Sequence, residues 1–178
     1  MKTQDYFYNC SKEYIYKINT QLYTEVTNII ESLTKRKTQA EINKDLLINF
    51  SNKKWAFDSA PNDLRHLKAL NDRTLCITSS TLNARWHCDF AKVFDSNLVQ
   101  LEVQFGTVES MFKDFCGFRI AYYEKRIALG IEIVISEPNK YFSQRKESIS
   151  GMAYFEIAKQ TLPAIGLNCP IWLVGINE

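Results

Sequence analysis

Three residues of this chain have the types and spacing for chemistry on a phosphate: Asp89, Glu102 and Gln104. The stretch Leu98-Val-Gln-Leu-Glu-Val-Gln-Phe-Gly106 alternates with period two, as a strand does. Leu98 leads in. Val99, Leu101, Val103 and Phe105 then form an apolar face, and Gln100, Glu102 and Gln104 the opposite one. A carboxylate on a half-buried surface needs a cation, a donor or a metal beside it. Arg85 to Phe94 reads as the preceding strand, with His87, Asp89, Ala91 and Val93 on one face, and Asp95-Ser-Asn97 is a turn-forming cluster. Two strands joined by so short a turn make an antiparallel hairpin, which sets residue 89 opposite 102 or 103. Both carboxylates then share a face. Oxygen ligands with waters completing the shell suit magnesium, an ion that activates water and stabilises charge on a phosphate. Gln104, two residues beyond Glu102, reaches the same place. Spacing alone is a weak pattern, and on it an exposed strand glutamate and a turn aspartate are the plainer reading.

The elements that must hold this hairpin are legible around it. Residues 1–20 are rich in tyrosine and lysine without a clear period and read as a short arm or a first helix. Leu22, Val26, Ile29, Ile30 and Leu33 recur at helical spacing, with Thr20 as a cap. Thr38 with Glu41 three residues on is a capping box for a second helix, with Ile42, Leu46, Leu47 and Phe50 inside. Segment 51–63 reads as a loop carrying Trp55 and Phe57, 64–70 as one or two helical turns, and Thr74 to Thr78 as a strand. After Gly106, Val108, Met111, Phe112, Phe115, Phe118 and Tyr122 mark a helix. Leu129 to Ile135 is a strand, 136–150 a polar loop, 151–162 a helix, and Pro170 to Ile176 a buried strand. The order strand-helix-strand-helix-strand predicts an α/β fold, a mixed sheet with helices on both faces. One domain is expected over 1–178, mainly helical to residue 73 and carrying the core sheet from 74 onward.

Bulk composition narrows the classes. Lys and Arg number 22 and Asp and Glu 20, a formal net charge of +2, which neither demands nor forbids a nucleic-acid partner. Local basic runs occur at Lys35-Arg36-Lys37, Lys53-Lys54 and Arg145-Lys146. The cysteines at 10, 76, 88, 116 and 169 form no CxxC pair, and with only two histidines a zinc site is poorly supported. Cys76, Cys88, Cys116 and Cys169 sit in apolar surroundings and read as buried free thiols, as in a reducing cytosol. Neither a signal pattern nor a run of membrane-spanning length is present. The expectation is a soluble, cytoplasmic protein that does not engage a membrane.

Asp89 on one strand and Leu101-Glu-Val-Gln-Phe-Gly106 on the next resemble the core of the PD-(D/E)XK nucleases. Gln104 stands where most of that superfamily has lysine. The resulting Glu-x-Gln resembles the variant in type II restriction endonucleases of the BglII/BstYI-like group. Phe112-Lys-Asp-Phe115, Leu129-Gly-Ile-Glu-Ile-Val134, Ser148-Ile-Ser-Gly151, Tyr154-Phe-Glu156 and the closing Pro170 to Ile176 continue the likeness over roughly residues 85–178. The resemblance implies a restriction-endonuclease-like sheet and Mg²⁺-dependent cleavage of double-stranded DNA at a short sequence. It further implies a homodimer, and a cognate DNA methyltransferase as genetic partner.

Within it, Asp89, Glu102 and the carbonyl of Val103 hold the metal, and Gln104 orients the attacking water. An amide is no useful base, so the proton leaves to solvent, to a substrate phosphate or to hydroxide on the metal. The Asp89-to-Glu102 spacing is long for the family, so Asp95 is a substitute for Asp89, although its place in the turn points it less well. Glu25, Glu41 and Asn83 are candidates for a further ligand, and each also reads as a plain surface or capping residue. Asn139, Lys140, Ser143, Gln144, Arg145, Lys146, Ser148 and Ser150 are the candidates for contacts to DNA, in a stretch that composition alone reads equally as a solvated loop. His87, Lys113 and Arg119 are secondary candidates near the site. A repair or junction nuclease with the same chemistry, and a non-catalytic DNA-binding or protein-interaction module, are the alternatives.

Overall fold

The computed structural model describes residues 1–82, 86–142 and 151–178. Its strands are β1 (Lys2–Tyr8), β2 (Ala56–Phe57), β3 (Phe90–Phe94), β4 (Asn97–Val103), β5 (Leu129–Ile135) and β6 (Ile171–Asn177). Its helices are α1 (Lys12–Ile18), α2 (Leu22–Glu31), α3 (Gln39–Asn52), α4 (Val108–Tyr123), α5 (Pro138–Tyr141) and α6 (Phe155–Ala164). Two 3₁₀ segments, Asn62–Leu70 and Arg73–Cys76, link β2 to β3.

The strands form one six-stranded sheet in the order β1-β6-β5-β4-β3-β2. β4, β5 and β6 run parallel, joined through α4 and α6, while β1, β3 and β2 each pair antiparallel. β5 is buried at every position, as a central strand covered on both faces must be. Helices α1 to α3 supply Ile15, Leu22, Val26, Ile30, Leu46 and Phe50 to one apolar cluster, which also takes Val99, Leu101, Ile131, Ile133, Trp172 and Val174 from the sheet. Helices α4 and α6 supply Phe115, Phe118, Phe155, Ala158 and Leu162 to a second cluster, with Val134, Ile171 and Leu173. The sheet therefore lies between two helical layers, the mixed α/β architecture that the order of elements predicts.

Several local expectations give way. The tyrosine-rich start is neither an arm nor only a helix: β1 pairs along its whole length with β6, and α1 follows with Ser11 as its cap. Thr20 does not cap α2. Gln21 stands there without a side-chain cap bond. The Thr38 capping box forms, with Glu41 accepting from the Thr38 main chain at 3.1 Å. Thr74 to Thr78 is not a strand. Arg73–Cys76 closes as a 3₁₀ turn under the Asp72 cap, leaving Ile77 to make a single bridge to His87. The strand expected from Arg85 is regular only at Phe90–Phe94. Cys76, Cys88 and Cys169 are buried free thiols, but Cys116 is exposed on the outer face of α4 and Cys10 is half-buried.

The β3–β4 hairpin is closed by two residues, Asp95 and Ser96, between the paired Phe94 and Asn97. Their φ values of 47° and 73° are both positive, as a primed turn requires. This turn fixes the register of everything beyond it.

Candidate active site

Because Phe90 stands opposite Leu101, Asp89 falls opposite Glu102 at the open end of the hairpin. Phe90 and Leu101 turn into the α1–α3 layer, so the residues beside them face the other way, toward α4. The Asp89 main-chain N–H donates to the Glu102 carboxylate at 3.1 Å, and the Asp89 carboxylate accepts from the Val103 N–H at 2.9 Å. Asp95 lies at the opposite end of the same hairpin, where it accepts from the Asn19 side chain at 2.7 Å. The geometry groups Asp89 with Glu102 and keeps Asp95 apart.

Two further carboxylates face the pair. Glu132 of β5 is the register partner of Glu102 across the parallel β4–β5 ladder. It is fully buried, and neither carboxylate oxygen has a hydrogen-bond partner among the described residues. Asp114 of α4 accepts from the Gln104 amide nitrogen at 2.6 Å. The electrostatics follow from this crowding. Desolvation first, then the charges of Asp89 and Asp114, raise the Glu102 carboxyl well above its ordinary range. Burial does the same to Glu132, with Asp114, Glu102 and Asp89 adding to it. Asp89 is exposed as a residue, yet desolvation of its carboxyl, with the charge of Asp58 adding to it, raises it too. Burial pushes Asp114 up to about 6, against the lowering pull of the Gln104 amide. Four acids that each resist ionisation form a site short of positive charge.

Gln104 is tied down at three points. Its main-chain N–H donates to the Ile133 carbonyl at 2.8 Å, its side-chain nitrogen reaches Asp114, and its side-chain oxygen accepts from the Gly106 N–H at 2.8 Å. A Cβ at Gly106 would lie 2.8 Å from the Gln104 oxygen and push that side chain from its place. Gln100 shares the face but not the site: it is fully buried and donates to the carbonyls of Leu75 and Ile77, both at 3.0 Å.

The other candidates divide. Glu25 is committed elsewhere, accepting from Trp55 at 2.7 Å and from Lys92 at 2.6 Å. Glu41 is held in its capping box. Neither supplies a further ligand. His87 pairs with Asp58, which also binds Arg73, and the Asp58 N–H donates to the Asp89 carbonyl at 3.1 Å, so this cluster borders the site without entering it. Lys113 and Arg119 are exposed on α4, and Asn139 and Lys140 are exposed on the short α5. Asn83, Ser143, Gln144, Arg145, Lys146, Ser148 and Ser150 lie outside the described residues. A cleft of about 310 Å³ opens between Asp89 and α3, lined by Asp89 and Val103 with Asn43, Lys44, Ser59 and Pro61.

Sequence pattern alone does not single out Asp114 or Glu132. Glu132 carried a readable signal, a lone charge inside the apolar run of a strand buried on both faces. Asp114 carried none, since one acid on a helix reads as solvated.

The family model described as restriction endonuclease BglII/BglIII matches residues 4–176. Among solved structures, the chain superposes on restriction endonuclease BglII complexed with a DNA 16-mer, with a TM-score of 0.68 and 15% identity. The match covers 100% of this chain and 77% of that one. No curated protein matches the sequence.

Proposed function

The chain belongs to the BglII/BglIII restriction endonuclease family, and from that premise we propose that Asp89, Glu102 and Gln104 form its catalytic centre. Family membership makes it a type II site-specific deoxyribonuclease, which hydrolyses phosphodiesters of double-stranded DNA within a short sequence. The observation that carries the residue assignment is the register. It sets Asp89 and Glu102 side by side and Gln104 two residues on, braced at both ends of its amide.

A divalent cation fits this site better than any other cofactor. The donors are hard oxygens, and four acids crowd one face, where the charge of the exposed Lys113 offsets burial and mutual repulsion only in part. Among the described residues, no three acidic, histidine or cysteine side chains converge on one point. Asp89 and Glu102 would therefore hold the ion with the Val103 carbonyl and water, a shell that suits Mg²⁺. When bound, the ion supplies positive charge to the scissile phosphate and acidifies water. The chain's own residues do the rest. Burial, and for Glu102 the charge of Asp89, disfavours the ionised carboxylates, and a bound cation would favour them. Gln104 holds the attacking water by hydrogen bonding, and the water's proton passes to bulk solvent or a phosphate oxygen.

A homodimer would present two such centres, one for each strand. A DNA methyltransferase would protect the host's own sites. Asn139 and Lys140, on the rim beyond β5, are the described part of the DNA-contacting stretch. A restriction enzyme is favoured over a repair nuclease by the family, and over a decayed binding module by the intact trio. Incubation with plasmid DNA, with and without Mg²⁺, tests this directly. The native chain is expected to yield discrete bands only with Mg²⁺, and Glu102→Ala none, while keeping its fold because no core volume is lost. Equal cleavage by both forms would overturn the assignment.

A further inference from the structure

An amide side chain can only organise a water if its two ends are not free to exchange. The oxygen accepts and the nitrogen donates, and a turn of the terminal torsion swaps them. In this chain the swap is blocked from both sides. Asp114 is an acceptor when ionised and so admits only the Gln104 nitrogen, at 2.6 Å. The Gly106 N–H is a donor and admits only the oxygen, at 2.8 Å. One Nε2 hydrogen and one Oε1 lone pair remain for other partners. The Gly106 bond is intrinsic to the strand end. The Asp114 bond is not: it comes from α4, a different element, and exists because α4 packs onto this face of the sheet.

We propose that Asp114 is a positioning residue for the cleavage reaction, fixing the Gln104 amide so that its remaining oxygen lone pair meets the attacking water. A water held there by one hydrogen keeps a lone pair for phosphorus. The inference rests on the reading of Gln104 as the residue that orients water. It adds that Gln104 does so only while α4 holds it. A misdirected group of this kind costs about 10- to 100-fold in rate.

The test is single-turnover cleavage of plasmid DNA in Mg²⁺ by the native chain, Asp114→Ala, Asp114→Asn, Gln104→Ala and the double variant. DNA affinity is measured alongside, with Ca²⁺ in place of Mg²⁺. Alanine suits a helix interior, so α4 persists in Asp114→Ala. Asp114→Asn keeps an oxygen acceptor at the same place. The expected result is a loss of about tenfold or more in the cleavage step for Asp114→Ala, an affinity within about twofold of native, and recovery of most of the rate in Asp114→Asn. In the Gln104→Ala background the Asp114→Ala change is expected to cost nothing further. A native rate in Asp114→Ala, or losses that add in the double variant, would overturn the proposal while leaving Gln104 in place. A native rate in Gln104→Ala would remove the reading of Gln104 and the proposal with it. Should Asp114→Ala lose its fold, Asp114→Glu, which keeps the charge but moves the carboxylate, carries the same expectations.

Discussion

Removing divalent metal should make the folded chain less stable as pH rises from 5 to 8. Asp114 is pushed up to about 6 by burial. In an unfolded chain an aspartate titrates near 3.9. A carboxyl raised by folding holds its proton more tightly in the folded state. It therefore contributes stability at low pH, and that contribution disappears as pH climbs through the folded value. For Asp114 alone, these two values give about 1.4 kcal/mol at pH 5 and nothing measurable at pH 8. Glu102 and Glu132, raised well above the ordinary range, steepen the fall, and Asp89 shifts in the same direction. They titrate together, so their effects do not simply sum. Glu124 behaves oppositely. The main-chain N–H of Ser80 and the hydroxyls of Thr81 and Ser79 hold it at about 2, so its contribution is lost only as pH falls below the ordinary glutamate range. Between pH 5 and 8 it is constant. The assay is urea unfolding of chelator-treated protein at both pH values, native against Asp114→Asn. The native chain should lose at least about 1.4 kcal/mol across the interval, and Asp114→Asn correspondingly less. Mg²⁺ should restore more stability at pH 8 than at pH 5, because it binds the ionised ligands. A flat profile in the native chain, or an identical slope in Asp114→Asn, would refute this account of the acidic face.

Glu25→Ala should lower stability by about 2 kcal/mol, since Trp55 and Lys92 both lose their acceptor. Cleavage per folded molecule should be unchanged, which urea unfolding and plasmid digestion together will show. Gly106→Ala should do the reverse. Its new Cβ would meet the end of the flexible Gln104 side chain at 2.8 Å, so a thermal melt should move little while the cleavage rate falls. Gly130→Ala should cost about 1–3 kcal/mol, because a Cβ would lie 2.7 Å from the Phe118 ring and 2.9 Å from Ile171, both fixed in the core. Calorimetry would register this as a fall of several degrees.

The hairpin was legible because its signals are local. Period-two alternation, a turn cluster and a carboxylate on each strand lie within nine residues on either side of Asp95-Ser96, and turn chemistry sets the register between them. The capping box at Thr38 was equally local, as one side chain answers another three residues away. What misled was also local in form. Thr74 to Thr78 has the residues of a strand, yet it turns as a 3₁₀ segment, and two of its carbonyls are taken by the buried Gln100. The tyrosine-rich start gave no period because β1 is an edge strand, whose neighbour β6 lies more than 160 residues away in the chain.

Local pattern alone was enough for the mixed sheet, for helices on both its faces, and for a hairpin that sets residue 89 opposite 102 or 103. These follow from patterns that a few consecutive residues contain. Strand pairing sets Asp89 rather than Asp95 beside Glu102, and packing between distant elements sets Glu102 beside Glu132 across a parallel ladder, brings Asp114 from α4 to Gln104, and spends Glu25 on Trp55 and Lys92. Each of those depends on how separate elements pack, and the chemistry of an acid is set by the groups that packing places around it rather than by its neighbours in the chain.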